Sequence, residues 1–455
     1  MKCHAFIQVL TCGNILEYIK TRQNMQLIDI PVPYLTTANA GPLHQVEKMI
    51  LNQVETIESW FRLRWQETPP PITSSVDLRN AGFKLAPVDT NLFPAGFNNL
   101  NHDFMPLCIQ AVQSVMVDSS PTCRKILILP ETHTRNAFYL QSLHVLSTIF
   151  SQAGFMVRIG SLDPNVTSLQ KFTTQDGDEL QIEPLIRQGD RVGLVDFNPC
   201  LILLNNDLST GVPEVLQGIQ QRVCPPIELG WSSRLKSSHF HYYSEVADAF
   251  ADLIHIDPWL FNPLFSAVDG VDFMEKTGIE TLAAEVDTLL EKIREKYTLH
   301  DIQEVPFVAV KADNGTYGMS VMMVHDGAEL LQLNRKQRTR MAASKGSQKV
   351  TRVMIQEGVF SSETMKNGAV AEPVVYMIGP FVVGGFYRVH QTRGKDDNLN
   401  APGMHFERLA FAEACNLPCK HLKPIDSPNR FYAYGVIARL AALAAAHEIA
   451  ALGER

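Results

Sequence analysis

No uninterrupted apolar run in the 455-residue chain reaches the roughly 18–20 residues that a membrane-spanning helix needs. The longest candidates are residues 374–386, broken by Gly379 and Pro380, and an alanine-rich C-terminus that carries Arg439. A basic excess is missing too. The formal charge of −8 argues against nucleic acid, which needs a basic face, and no membrane partner is expected. Cysteine is scattered, at 3, 12, 108, 123, 200, 224, 415 and 419, with no dense framework. That excludes a disulfide-built scaffold and leads us to expect reduced thiols in a cytoplasmic protein. Cys415 and Cys419 have loose zinc spacing but no second pair nearby, so a zinc site is not expected. Residues 5–10 are too short an apolar core for a signal peptide, and residues 1–24 are expected to form a poorly ordered extension. No repeat of fixed period is visible, and the phosphate-binding pattern G-x-x-x-x-G-K-[ST] is absent.

What is present is the composition of a globular enzyme, 45% hydrophobic and 19% charged, with length for two or three domains. Val46, Ile50, Val54, Ile57 and Phe61 recur at three- and four-residue steps and predict a helix, which the proline run 69–71 ends. Residues 75–100 are dense in Asp, Asn, Arg, Lys and Gly with single apolar residues between them. They suit either site-lining strands and turns or an irregular loop. Residues 125–130 read as a strand, 137–153 as a helix and 155–159 as a strand, which together make a βαβ unit. Glu131, His133 and Arg135 fall beyond the carboxyl end of its first strand, where open α/β sheets place ligands. Further strands are predicted at 192–197 and 200–204. Arg234 and Lys236 among serines suit a carboxylate or phosphate, or form a solvated basic turn. The pattern from 242 to 297 is helical, and so is the basic stretch 326–344.

Residues 305–321 read as strand, short glycine loop and strand. Lys311 ends the first strand, and Asp313, Asn314, Gly315, Thr316, Tyr317 and Gly318 follow it. Backbone N–H groups of such a loop can turn toward an anion, and the lysine can supply a point charge for a phosphate. A tight hairpin with an exposed Asn-Gly turn has the same pattern. Strands at 350–355, 371–378 and 381–390 follow, then a polar glycine-bearing loop at 394–403. The last helix starts at Pro428, with Ser427 as its cap.

Two strand pairs with a helix between them, a lysine on the first and an arginine on the last, resemble the ATP-grasp fold. The resemblance implies that Lys311 meets the nucleotide phosphates and that Asn314 to Gly318 close over them. Gln356, Glu357, Gly358 and Val359 would read adenine, Arg388 would face the transferred phosphoryl group, and Asn398 and Asn400 would belong to the mobile loop. Asp89-x-Asn91 resembles the Glu-x-Asn metal element of eukaryotic-type glutathione synthetases, with Asp in place of Glu. Asp313 would complete a Mg²⁺ set. From about residue 25 the chain looks like the proteobacterial glutamate–cysteine ligase family. The fold class expected is α/β (α+β), an ATP-grasp fold with an N-terminal α/β substrate-binding domain.

The resemblance implies ATP and Mg²⁺ as cofactors, L-glutamate and L-cysteine as substrates, and a γ-glutamyl phosphate on the way to γ-glutamylcysteine. Lys311 and Arg388 would be catalytic. Arg79, Arg234, Lys236 and Arg135 are the candidates for the amino-acid carboxylates. The domains expected are a substrate and metal domain at 25–240, a helical connector at 241–300 and a nucleotide region at 301–455. A homo-oligomer is compatible with the sequence. The alternatives are another carboxylate–amine ligase of the same fold, such as a glutathione synthetase-like enzyme, and a nucleotide-binding regulatory protein without turnover.

Overall fold

The computed structural model describes residues 42–132, 136–315, 320–342, 349–365, 367–408 and 430–453. The expectations for residues 1–24, Arg135, Thr316, Tyr317, Gly318, the Cys415/Cys419 pair and the Ser427 cap lie outside these residues. Two antiparallel sheets come first. The first joins β1 (Thr73–Asn80) and β2 (Leu85–Asn91) to β16 (Val370–Ile378), β17 (Phe381–His390) and β18 (His405–Arg408). Its order is β18–β17–β16–β1–β2, with the short β15 (Glu363–Thr364) beside β16. The second has the order β11–β14–β12–β13, from Phe265–Asp269, Arg352–Glu357, Val308–Ala312 and Val321–Val324. The mixed α/β class is the one expected.

The period of two along β1 explains its place. Val76 and Leu78 are fully buried in the main apolar core, while Asp77 and Arg79, on the other face, look into a cavity between the sheets. Stretches expected to belong to separate domains therefore meet in one sheet, because β1 pairs with β16 from Thr73↔Ile378 to Asp77↔Val374. The expected helical connector also contains β11, a strand of the second sheet.

The third sheet has the order β10–β9–β3–β4–β6–β5. Its strands are β3 (Lys125–Leu129), β4 (Met156–Ser161), β5 (Gln170–Thr173), β6 (Glu179–Pro184), β9 (Leu201–Leu204) and β10 (Arg222–Cys224). β10, β9, β3, β4 and β6 run parallel. Parallel strands are covered on both faces, which is why β3 and β9 read as unbroken apolar runs. Ile126, Ile128, Leu201 and Leu203 pack on one side, and Leu127, Leu129, Ile202 and Leu204 on the other. A hairpin of β7 (Ile186–Gln188) and β8 (Arg191–Gly193) stands apart. The strand expected at 192–197 stops early because Asp196 takes a left-handed turn at φ 58°. Cys123 and Cys200, expected as free thiols, form a disulfide with Cα atoms 5.6 Å apart. They sit at the amino ends of neighbouring strands β3 and β9, a proximity that sequence spacing does not reveal.

The helices are α1 (Pro42–Asn52), α2 (Val54–Glu67), α3 (Met105–Ser119), α4 (Ala137–Gln152), α5 (Lys236–Ile254) and α6 (Ile279–Leu299). After them come α7 (Ala328–Leu331), α8 (Arg335–Ala342) and α9 (Arg430–Gly453). α9 is long and apolar enough to cross a membrane, yet 72% of its most apolar window is buried. It packs on α5 and on the face of β1, β2 and β16 turned away from the cavity. Its one central cation is neutralised: Arg439 forks onto Glu58 of α2 at 2.8 and 2.9 Å and lies 4.2 Å over the Phe61 ring.

Candidate active site

The cavity between the two antiparallel sheets gathers residues from six stretches of chain. Arg79, Asp89, Lys236, Lys311, Asn314, Gly315, Gln356, Glu357, Gly358, Val359, Arg388, Asn398 and Asn400 all line it. Asp77, Glu372 and Phe307, which the sequence reading did not single out, line it too. Asp77 stands two residues before Arg79 on the same strand face, and Glu372 is a lone charge in an apolar strand. Both signals were available. A wider groove, bordered by Phe61, Trp65, Leu107, Phe381 and Phe431, is mainly apolar and shares no lining residue with this cavity.

Lys311 sits on β12, and its Nζ donates to Gln356 Oε1 at 2.7 Å and to the Val88 carbonyl at 2.9 Å. Burial pushes its pKa down to about 8, against the pull of Asp89. Arg388 on β17 donates to Asp77 Oδ2 at 3.1 Å and to Glu372. Its Nε and the Nε2 of Gln356 are buried with no partner, two orphan donors at the cavity wall. Glu372 is held below the usual carboxylate range, since Arg79 and Arg388 outweigh its burial. The Asp77 carboxyl is raised by burial and by the nearby carboxylates, with Arg388 opposing. Gly358 admits no side chain here, because an added Cβ would lie 2.3 Å from the Phe307 ring.

Asp77 and Asp89 are direct cross-strand neighbours on β1 and β2. Like charges so placed repel unless a cation intervenes. Lys236 answers for Asp89, donating to both of its carboxylate oxygens at 2.8 and 2.9 Å. Burial would raise the Asp89 pKa, but Lys236 and Lys311 outweigh it and hold the group at about 2. The Lys236 ammonium also lies 4.0 Å over the Trp231 ring.

Residues 47–449 match the family model described as Glutamate-cysteine ligase, GshA. The chain belongs to the glutamate–cysteine ligase family. A solved structure from Methylobacillus flagellatus KT, provisionally named gamma-glutamylcysteine synthetase, is 54% identical with a TM-score of 0.86, over 93% of this chain and 99% of that one. A glutathione synthetase-like effector from Globodera pallida, in its apo form, is 10% identical with a TM-score of 0.38, over 79% and 86%. D-alanyl-alanine synthetase A from Vibrio cholerae is 9% identical with a TM-score of 0.32, over 70% and 81%. No curated protein matches the chain.

Three residues expected at the site of this ligase lie off the cavity, each with its polar atoms committed elsewhere. Asp313, expected to bind Mg²⁺, is fully buried. Its Oδ1 accepts the Ser237 backbone N–H at 2.7 Å, and its Oδ2 accepts the Ser237 hydroxyl and Arg352 Nε, both at 2.6 Å. It caps the start of α5 from across the fold and so fixes Lys236. Arg234, expected to hold a substrate carboxylate, forks onto Glu448 of α9 at 2.9 and 2.7 Å and donates to the Thr90 carbonyl at 2.7 Å. Asn91, expected as a metal ligand, uses its Oδ1 on the Phe93 N–H and the Trp231 indole, and its Nδ2 on the Phe93 carbonyl.

Proposed function

We propose that the cavity takes ATP and that the enzyme joins L-glutamate to L-cysteine through a γ-glutamyl phosphate. The observation that carries this reading is the pair of buried cations, Lys311 and Arg388, set beside two orphan donors in a cavity that ends at Gln356–Val359, the hinge expected to read adenine. Lys311 is buried against neutral acceptors alone, which is costly, and phosphate oxygens would satisfy it together with the two orphan donors. Asp77 and Asp89 would hold Mg²⁺. Two carboxylates suffice for an ion that completes its shell with phosphate oxygens. When bound, Mg²⁺ supplies neutralisation of the transferred phosphoryl group.

In this reading the γ-carboxylate of glutamate attacks the terminal phosphorus of ATP, giving the acyl phosphate and ADP. The cysteine amine then attacks the acyl carbon and phosphate leaves. The protein contributes position and charge rather than covalent chemistry. Lys311 and Arg388 draw off negative charge, and Lys236, freed from Asp89, is placed to hold a substrate carboxylate. Phosphate release measured with glutamate and cysteine, singly and together, tests the proposal. Release that requires both supports it. Release with neither, or with a γ-glutamyl dipeptide and glycine instead, favours an ATPase or a different amide ligase, and none at all favours a regulatory protein.

A further inference from the structure

Arg79 was expected to greet an amino-acid carboxylate, but its three guanidinium nitrogens are all spoken for by protein. Nε donates to Glu372 Oε2 at 2.9 Å, Nη1 to the Val359 carbonyl at 3.2 Å and Nη2 to the Asp397 carbonyl at 2.6 Å. The residue is 4% exposed. A second cation of the same β1–β2 hairpin, Lys84 in its turn, reaches the same hinge from behind. Lys84 Nζ donates to Glu357 Oε2 at 2.7 Å and to the Asn262 carbonyl at 3.2 Å. The Glu357 carboxylate is held by three protein donors: that lysine, the Leu264 N–H at 2.9 Å and the Trp259 indole N–H, shared between its two oxygens at 3.1 and 3.2 Å.

From this we propose that Arg79 and Lys84 clamp the hinge Glu357–Val359 from both ends against the β1–β2 hairpin. They are positioning residues for the nucleotide base and not ligands of an amino-acid substrate. The hinge belongs to the second sheet and the hairpin to the first, so the clamp sets the gap into which a flat ring must slide. Through Asp397 it also fixes the loop that carries Asn398 and Asn400. Through Glu372 it fixes Arg388 as well, so base and phosphoryl ends share one anchor. The inference rests on the reading that the cavity takes ATP.

The test uses the full-length enzyme and its Arg79→Gln, Arg79→Lys and Lys84→Met variants. Steady-state KM is measured for ATP, GTP, glutamate and cysteine, along with the rise in melting temperature caused by ADP. Loss of one charge-assisted hydrogen bond to the hinge corresponds to about a tenfold or greater rise in KM for ATP. Arg79→Gln should show that rise and a smaller preference for ATP over GTP, with the KM for glutamate and cysteine unchanged. Arg79→Lys should recover part of the loss, since lysine keeps the charge but not the fork. Lys84→Met, which removes no cavity-facing group, should shift the ATP KM in the same direction. A raised KM for glutamate with an unchanged KM for ATP overturns the clamp. If Arg79→Gln does not fold, an ADP-induced melting shift in Lys84→Met equal to the wild type overturns it instead. Absence of any ADP shift in the wild type would sink the nucleotide reading itself, a separate failure.

Discussion

Lys311 offers a sharp test, because its pKa of about 8 puts activity and stability on opposite slopes. In the free enzyme the protonated fraction falls from about 0.9 at pH 7 to about 0.1 at pH 9. The kcat/KM for ATP, which reports free-enzyme groups, should therefore drop about ninefold over that interval. kcat should move less, since bound phosphates favour the charged lysine. The assay is initial phosphate release at subsaturating ATP, with both amino acids saturating at each pH. Stability runs the other way. The folded pKa lies below the ordinary lysine value of 10.5, so between about pH 8 and 10.5 the unfolded chain binds more protons. Over that window this lysine's contribution to stability rises with pH, and it is lost as pH falls through about 8. A melting temperature that holds while kcat/KM falls would separate titration from denaturation. Lys84 is also pushed down to about 8 by burial and acts on the same cavity through the hinge, so the comparison is made in a Lys84→Met background, which should keep the limb due to Lys311. Lys311→Arg, which stays charged, should lose it. A wild-type profile flat to pH 10, or a limb that survives in Lys311→Arg, refutes the reasoning.

Other outcomes follow from neighbouring residues. Asp89→Asn should raise the Mg²⁺ concentration needed for half-maximal rate by about tenfold, one charge-assisted contact. Asp313→Asn should leave that requirement unchanged while raising the KM for glutamate, because it loosens the start of α5 and with it Lys236. Titration of rate with MgCl₂ distinguishes the two. Glu448→Gln should destabilise the fold by about 3–5 kcal/mol in chemical denaturation, since it strands the buried Arg234 guanidinium. Arg234 and His239 outweigh burial and hold Glu448 at about 2, below the ordinary glutamate value of 4.5. Its contribution to stability is thus complete above pH 4.5 and lost as pH falls toward 2, and an acid melt of the variant should lack that component.

The secondary structure around the site was legible because periodicity is local. The helix at 137–152, the strands β3, β9, β16 and β17 and the cavity-facing Lys311 and Arg388 all follow from runs of a few residues. Where a side chain ends up is a different matter. Asp313, Arg234 and Asn91 stand beside true lining residues in sequence, yet their partners are Ser237, Glu448 and Trp231, from distant parts of the chain. Residue type announces that a charge must be neutralised. Only the fold says whether protein or ligand does it. Arg79 is the mixed case, since it lines the cavity as expected while each of its three guanidinium nitrogens bonds the frame.

The pairing of β1 with β16 also bears on how the molecule is made. Arg79 and Glu372, which meet across that seam, are 293 residues apart. During synthesis the β1–β2 hairpin must wait, with its β1 edge unpaired, until most of the chain has left the ribosome. An open strand edge is a template for wrong partners, and such distant pairings form slowly. The parallel sheet of β3, β4 and β9 pairs over shorter separations and can form earlier, although the face that carries Ile126 and Leu201 is completed only by Val374 and Phe386 of β16 and β17. Nascent chains halted before residue 370 should therefore hold that parallel sheet beside an exposed hairpin, the stage at which a chaperone matters most.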